Sequence, residues 1–394
     1  MCPPKKTSAA GLSLIELLIA LVIGLVVMLG VIQVFAASKE AYRLSEGLAR
    51  VQENGRFAMD ALQRELRMAG HFGCVNDQAQ ALQSPNSLTS TLNIGAHPAL
   101  DFSRSIQGYE AAGTEPSAQL TISETPLTGG KNYKPLLPDE IEKALTNRVN
   151  GSDVVALRYL MPDGVPVTAI AGTTQKPIFS FDAARLSVLQ SGVSTPGLFG
   201  VADCLSTTVF QAKAVDTKAA SVTFDDAPNN VDSFTRVYAK GQAVLYRAES
   251  IVFYVGYDAD SKQSSLYRVR FTASPSGDLV AGVPEPLVEG VENLQLLYGQ
   301  DRALDTLAPT GYIDRQGTAN DVDASLTNTA LAWRRVGAVQ VGLLMSSPDR
   351  ASARQAEGVS SLSALGVAFK TPDDKRLRAV YQSTVAIRNR LYGN

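Results

Sequence analysis

The sequence predicts an α+β protein: one long N-terminal helix leading into a globular domain built on antiparallel β-sheet. Three observations predict it. Residues 12–37 form an almost unbroken apolar run. Residues 38–69 contain no proline and repeat apolar side chains at helical spacing. From Asp153 onward, apolar and polar residues alternate with period two in several separate stretches.

The apolar run comes first. Between Leu12 and Ala37 only Ser13, Glu16 and Gln33 are polar. As a helix rising about 1.5 Å per residue it is long enough to cross a hydrocarbon layer roughly 30 Å thick. Glu16 is out of place there, since a carboxylate in the apolar phase costs of order 2.5–3.5 kcal/mol even on insertion scales. No neighbouring residue is basic, and Lys5 and Lys6 lie beyond Gly11. A cut after Gly11 would create an α-amino cation on Leu12, one helical turn from Glu16. A secretory signal peptide would be shorter, with its cleavage site after the apolar region rather than before it. A plain signal anchor fits the length but leaves Glu16 unexplained.

In Gly11-Leu12-Ser13-Leu14-Ile15-Glu16, preceded by Lys5 and Lys6, the chain resembles the type IV pilin family. The resemblance implies a leader of residues 1–11, cut between Gly11 and Leu12 by a prepilin peptidase that N-methylates Leu12. It implies a membrane or filament-core helix over 12–37, with Glu16 acting in assembly. The family more often has Phe at the position of Leu12; the apolar character is kept. Lys5 and Lys6 place the N-terminus in the cytoplasm and the rest of the chain beyond the span in the periplasm.

The helix continues as an amphipathic one through 38–70, with the stripe Leu44, Leu48, Val51, Ala58, Leu62, Leu66 and Ala69 expected to face a sheet. Arg56, Asp60 and Arg64 are spaced for surface pairs worth a few tenths of a kcal/mol each. Gly70 and Gly73 supply a stop. The stretch from Gln52 to Cys74 is similar, more narrowly, to PilW-like minor pilins, where such a helix ends at Ala-Gly and is followed by Gly-Cys. The C-terminal residues from Thr384 to Arg390, with the Glu292 and Arg335 regions, resemble the same group and the larger type II secretion pseudopilins.

The globular domain spans 71–394. Residues 75–150 are rich in Ser, Thr, Gly and Pro and read as a large, irregular insertion with a few short strands. Val155, Leu157 and Tyr159 then alternate in a strand, and 207–212 and 221–224 are further short strands. Ile251, Phe253, Val255 and Tyr257, a turn at 258–264, and Tyr267, Val269 and Phe271 predict a hairpin with Arg268 and Arg270 outward. A turn followed by a strand is expected at 288–299, and strands at 335–345 and 376–388. Residues 346–375 read as a long exposed loop.

Composition limits the chemistry. Net charge is −2, and loss of Lys5 and Lys6 takes it to −4, which gives no reason to expect a nucleic-acid surface. The two histidines, His71 and His97, lie in no nucleophile motif, and neither a P-loop nor HExxH is present. Asp258 with Asp260, and Asp321 with Asp323, lack the glycine and distal glutamate of a calcium loop and read as turn residues. Arg376, Arg378, Arg388 and Arg390 alternate along a strand as a solvated or ion-paired face. No catalytic residue, metal or cofactor is expected. Of the cysteines, Cys2 would leave with the leader, so an oxidising compartment predicts a Cys74–Cys204 disulfide. It would close a loop of about 130 residues, for which chain entropy gives about 4–5 kcal/mol.

The function that the resemblance implies is a minor pilin taking part in a priming or tip complex of type IV pili, supporting twitching motility and adhesion. Its partners would be the prepilin peptidase, other minor pilins and the major pilin, the inner-membrane assembly machinery and membrane lipid. The alternatives are a type II secretion pseudopilin of the larger kind and, from a different class, a membrane-anchored periplasmic binding module.

Overall fold

A computed structural model describes residues 13–76, 87–95, 97–227, 229, 234, 236–301, 310–351 and 362–390. The chain is an α+β fold: a 55-residue helix, α1 (Leu14–Met68), stands against a domain of mostly antiparallel sheets. At 1.5 Å per residue α1 is about 82 Å long. It ends at Ala69, and Gly70 takes a positive φ of 80° that an L side chain rarely adopts.

The principal strands are β1 (Ile106–Ala111), β2 (Val154–Leu160), β3 (Leu198–Ala202), β4 (Thr207–Gln211), β5 (Val244–Asp258), β6 (Gln263–Ala273), β7 (Glu285–Glu289), β8 (Val291–Asp301), β9 (Ile313–Gly317), β10 (Val336–Ser346) and β11 (Arg378–Ala386). The largest sheet is organised on β5, which pairs with β2, β3 and β6 along different parts of its 15 residues. A second, antiparallel sheet has the order β9-β8-β10-β11. The main core lies where α1 meets both sheets: Val51, Ala58, Leu62 and Leu66 pack with Leu157, Phe253, Leu294, Leu296, Val341 and Val385.

A further core belongs to the lobe inserted between β2 and β5. Its four-stranded sheet (Ala214–Asp216, Ser221–Thr223, Pro177–Ser180, Ala169–Gly172) packs with Phe199 and Phe210. Phe179, Phe210, Phe224, Phe234 and Tyr238 form an aromatic cluster with ring centroids as close as 4.6 Å.

Four expectations change in the structure. Leu44 and Leu48 are 43% and 44% exposed: the first buried position of α1 is Gly47, whose added Cβ would lie 3.0 Å from Ala351, so Leu44 lies below the contact and Leu48 at its margin. Residues 75–150 do hold short strands, yet β1 among them is buried along its whole length inside the largest sheet. The β5–β6 hairpin forms, but Phe253 pairs with Arg268 and Tyr254 with Tyr267, so its two predicted apolar rows lie on opposite faces. Both faces are buried, one under α1 and the other in a core that it shares with Tyr109 of the same sheet and Ile141. Arg268 and Arg270 therefore do not point to water; Arg268 bonds Glu285 at 2.7 Å and Arg270 bonds the buried Glu249. Finally, the stretch expected as a long exposed loop contains strands Ser363–Ala364 and Val367–Lys370, which close a small core with Leu344 and Val380.

Candidate functional site

The feature that sets this molecule apart is the first half of α1. Leu14, Ile15, Leu17, Leu21, Val26, Val31 and Phe35 are each more than half exposed, and the first buried residue of the helix is Gly47. Among the described residues nothing lies within 4 Å of an added Cβ at Gly24 or Gly30. An apolar cylinder about 36 Å long (residues 14–37) thus stands free of the domain. Left in water, such a surface would be strongly unfavourable at about 25 cal/mol per Å² of apolar area. Lipid or other apolar helices must cover it.

Glu16 sits in the first turn of this cylinder. Its carboxylate accepts hydrogen bonds from the Ser13 backbone N–H (2.9 Å) and hydroxyl (3.0 Å), while the Ser13 Oγ accepts from the Glu16 N–H. This is a capping box, with Ser13 as N-cap. The chain therefore supplies neutral donors of its own to the carboxylate; among the described residues no cation pairs with it. Ser13-Leu14-Ile15-Glu16 carries the S-x-x-E signature, a signal the reading of charges alone passes over. Gly11 and Leu12 lie outside the described residues.

The upper half of α1 is held by side chains from the C-terminal part of the chain. Asn54 Nδ2 donates to the Glu289 carbonyl (3.1 Å), Gln63 Nε2 to Ser383 Oγ (2.8 Å), and Asn389 Nδ2 to the Arg67 and Ala69 carbonyls (3.0 and 3.3 Å). Glu65 accepts from the Tyr159 hydroxyl and lies 3.8 Å from Arg268. Gly55 lies under the Tyr381 ring so closely that an added Cβ would come within 2.6 Å of it. On the outer face Arg64 pairs with Asp60 at 2.9 Å.

Where α1 ends, a short hairpin (His71–Phe72 and Val75–Asn76) docks on the β3–β4 turn. Thr207 Oγ1 donates to the Phe72 carbonyl (2.6 Å), and Gly73 abuts Ala202. This brings Cys74 and Cys204, both exposed thiols here, to a sulfur–sulfur distance of 2.9 Å. The contact with Cys204 pushes the Cys74 thiol up from its ordinary range, with burial adding to it. His71 Nδ1 lies 2.8 Å from the Leu160 carbonyl, and His97 Nδ1 3.1 Å from Glu140. The two histidines belong to separate parts of the fold.

The buried acids have structural roles. Asp153 accepts from the backbone N–H groups of Ala111 (2.9 Å) and Leu296 (2.8 Å), stitching β1 to β8. Burial raises its pKa, opposed by those two amides, and Glu110 nearby is raised by burial and then by the charge of Asp153. Arg378 is buried between Glu292 and Asp374, and its pKa is raised by bonds to both carboxylates against the cost of burial. The acidic pairs singled out in the sequence are likewise engaged. Asp258 accepts from Asp260 N and Ser261, Asp321 completes a capping box with Thr318, and Asp323 accepts from Trp333 Nε1 at 3.3 Å. Among the described residues no three His, Cys, Asp or Glu side chains cluster as a metal site.

A helix bare and apolar in its first half, buried against antiparallel sheet in its second, and opening on a capped glutamate defines a pilin-type subunit. The comparisons with known proteins agree. Residues 6–32 match the prokaryotic N-terminal methylation motif, and residues 252–389 match the type IV pilus-assembly protein W family. The two matches together support a PilW-like type IV pilin. No curated protein and no solved structure matches it. The methylation motif and the apolar helix beside it fit anchoring in an inner membrane.

Proposed function

We propose that this chain is a minor pilin of the priming or tip complex of a type IV pilus, supporting twitching motility and adhesion, and that it has no enzymatic activity. The observation that carries the reading is the bare apolar half of α1 with Glu16 in its first turn. In the bilayer this surface is solvated by lipid; in a filament the same surface packs against neighbouring helices. Transfer between the two is nearly neutral in hydrophobic terms, so specific contacts decide it. The leader, residues 1–11, is removed between Gly11 and Leu12 by a prepilin peptidase, which methylates Leu12. The new amino group then pairs with Glu16 of this or an adjacent subunit, in partnership with the Ser13 donors already present. The N-terminus faces the cytoplasm before the cut, and the domain faces the periplasm, where Cys74 and Cys204 form a disulfide tying the top of α1 to the inserted lobe. Other minor pilins, the major pilin and the inner-membrane assembly machinery are its partners.

The intact mass of the protein purified from its own membranes tests all of this at once. The expected species begins at Leu12, carries one additional methyl group, and lacks the two thiol hydrogens until it is reduced. A species beginning at Met1 overturns the assembly reading; a processed species with two free thiols overturns the disulfide alone.

A further inference from the structure

Every outer strand of the described sheets spans five residues or fewer, except one: β11, with nine. Unpaired edges are usually blunted by charge, proline, a bulge or brevity. The opposite edge of the same sheet, β9, is blunted in this way. It has five residues, carries Asp314 and Arg315, and opposes a break in register at Gln300 and Asp301. In β11 the residues from Ala379 to Ala386 include neither a charge nor a proline, and the pairing with β10 runs without a shift from Ala338 opposite Ala386 to Ser346 opposite Arg378.

The ladder fixes which backbone groups face outward. Ile387 N–H donates to the Gly337 carbonyl, and Ser347 N–H donates to the Leu377 carbonyl. Bonded pairs alternate in an antiparallel ladder, so the odd-numbered residues of β11 serve β10. Arg378, Val380, Gln382, Thr384 and Ala386 turn their N–H and C=O groups away from the sheet. Among the described residues no strand pairs with that side, and Gln382, Thr384 and Ala386 are exposed. The chemistry that satisfies such a row is another extended backbone.

The direction of β11 limits whose backbone it is. Tyr381 lies at Gly55, Ser383 at Gln63 and Asn389 at Ala69, so β11 climbs away from the bare half of α1 in the same sense as the helix. A second copy anchored in the same membrane would offer its own β11 in parallel. That would bring Arg376 toward Arg376 and Arg388 toward Arg388 at the two ends of the strand, and like charges so placed repel. We propose that the outer edge of β11 receives an extended, uncharged segment with carboxylates at its ends, supplied by a different subunit of the same pilus complex standing beside α1. The inference rests on the assembling role proposed above.

Hydrogen exchange of the full-length, membrane-anchored chain tests it, comparing residues 378–386 in the chain expressed alone with the chain co-expressed with the other subunits of its pilus system. Exchange in the co-expressed complex is expected to slow about tenfold or more, because bonded edge amides open only with the pairing. Thr384→Pro removes an outward N–H without touching the β10 ladder, and is expected to lose the complex while Thr384→Val keeps it. Should Thr384→Pro fail to fold, the charge reversals Arg376→Glu and Arg388→Glu, which leave the ladder intact, are expected to weaken the complex instead. Equal exchange rates alone and in complex overturn the proposal. So does a folded Thr384→Pro variant that assembles normally, or protection already present in the chain expressed alone. A chain that is never processed at Gly11 sinks the assembly reading; a processed chain recovered in a complex with an unprotected β11 edge sinks only this inference.

Discussion

The two halves of α1 both carry apolar residues, the lower far more of them, and put them to opposite uses. Below Gly47, Leu17, Leu21, Leu25 and Leu29 are all more than half exposed; above it, Val51, Ala58, Leu62 and Leu66 are sealed from solvent. Within the lower half, residues 14–37 are apolar nearly all round, which suits a surface that must meet lipid and helices from any side. The upper half buries one apolar stripe and keeps its other faces mostly polar, with Phe57 an exposed exception, which suits a fixed sheet. One helix therefore joins a part whose partners can be exchanged to a part whose partners are permanent. A change in the lower half should alter assembly without altering the fold, and a change in the upper half should do the reverse.

The largest expected effect lies at Glu16. Replacing it with Leu removes the only charge in the bare cylinder, so membrane insertion becomes easier while filament assembly is lost. The melting temperature of the globular domain should not move. Pilus counts by electron microscopy, set beside thermal melting of the same variant, check both halves of the claim; normal piliation would break the comparison at its most exposed point.

Next in size is a matched pair of truncations. Leu62→Ala empties a fully buried site among both sheets and should cost about 2–5 kcal/mol, as such cavities do. Leu21→Ala removes the same atoms from a side chain 62% exposed and should leave domain stability unchanged. Denaturant midpoints of the two variants in detergent measure the difference. Equal losses would mean that the halves are not energetically separate.

How much of this could be read from residues alone follows the same division. Periodicity marks α1 from end to end, since a stripe and a cylinder are both visible in one dimension. It does not mark where burial begins, and so Leu44, below the first contact at Gly47, and Leu48, at its margin, looked like core although both stay more than 40% exposed. The two rows of the β5–β6 hairpin were each legible, but whether they share a face depends on register, which Phe253 opposite Arg268 settles only in three dimensions. The inserted lobe was hardest. Phe210 and Phe224 fall in stretches that read as short strands, but Phe179 and Phe234 lie in segments with no readable period, and the four become a core only when brought together. At the assembly end, Glu16 stood out as a misplaced charge. Ser13 did not, because it acts through a neutral hydroxyl and a backbone N–H.

The smallest effect comes from glycine, where the two halves should differ in sign. An alanine in a helix is favoured over glycine by about 1 kcal/mol when nothing else changes. At Gly30 nothing among the described residues lies within 4 Å of the new methyl group, so Gly30→Ala should stiffen the helix and leave the domain's melting temperature where it was. At Gly55 the methyl group would come within 2.6–2.9 Å of the Tyr381 ring, which must then swing off the helix and give up its place against the core. Overpacking of this kind costs about 1–3 kcal/mol, enough to cancel the helical gain and leave Gly55→Ala less stable than the parent by about 1 kcal/mol. Gly55→Ala combined with Tyr381→Ala isolates the cause: with the ring gone, the glycine substitution should become neutral or stabilising. If the penalty persisted without the ring, the close approach of β11 to α1 would not be what glycine is there to permit.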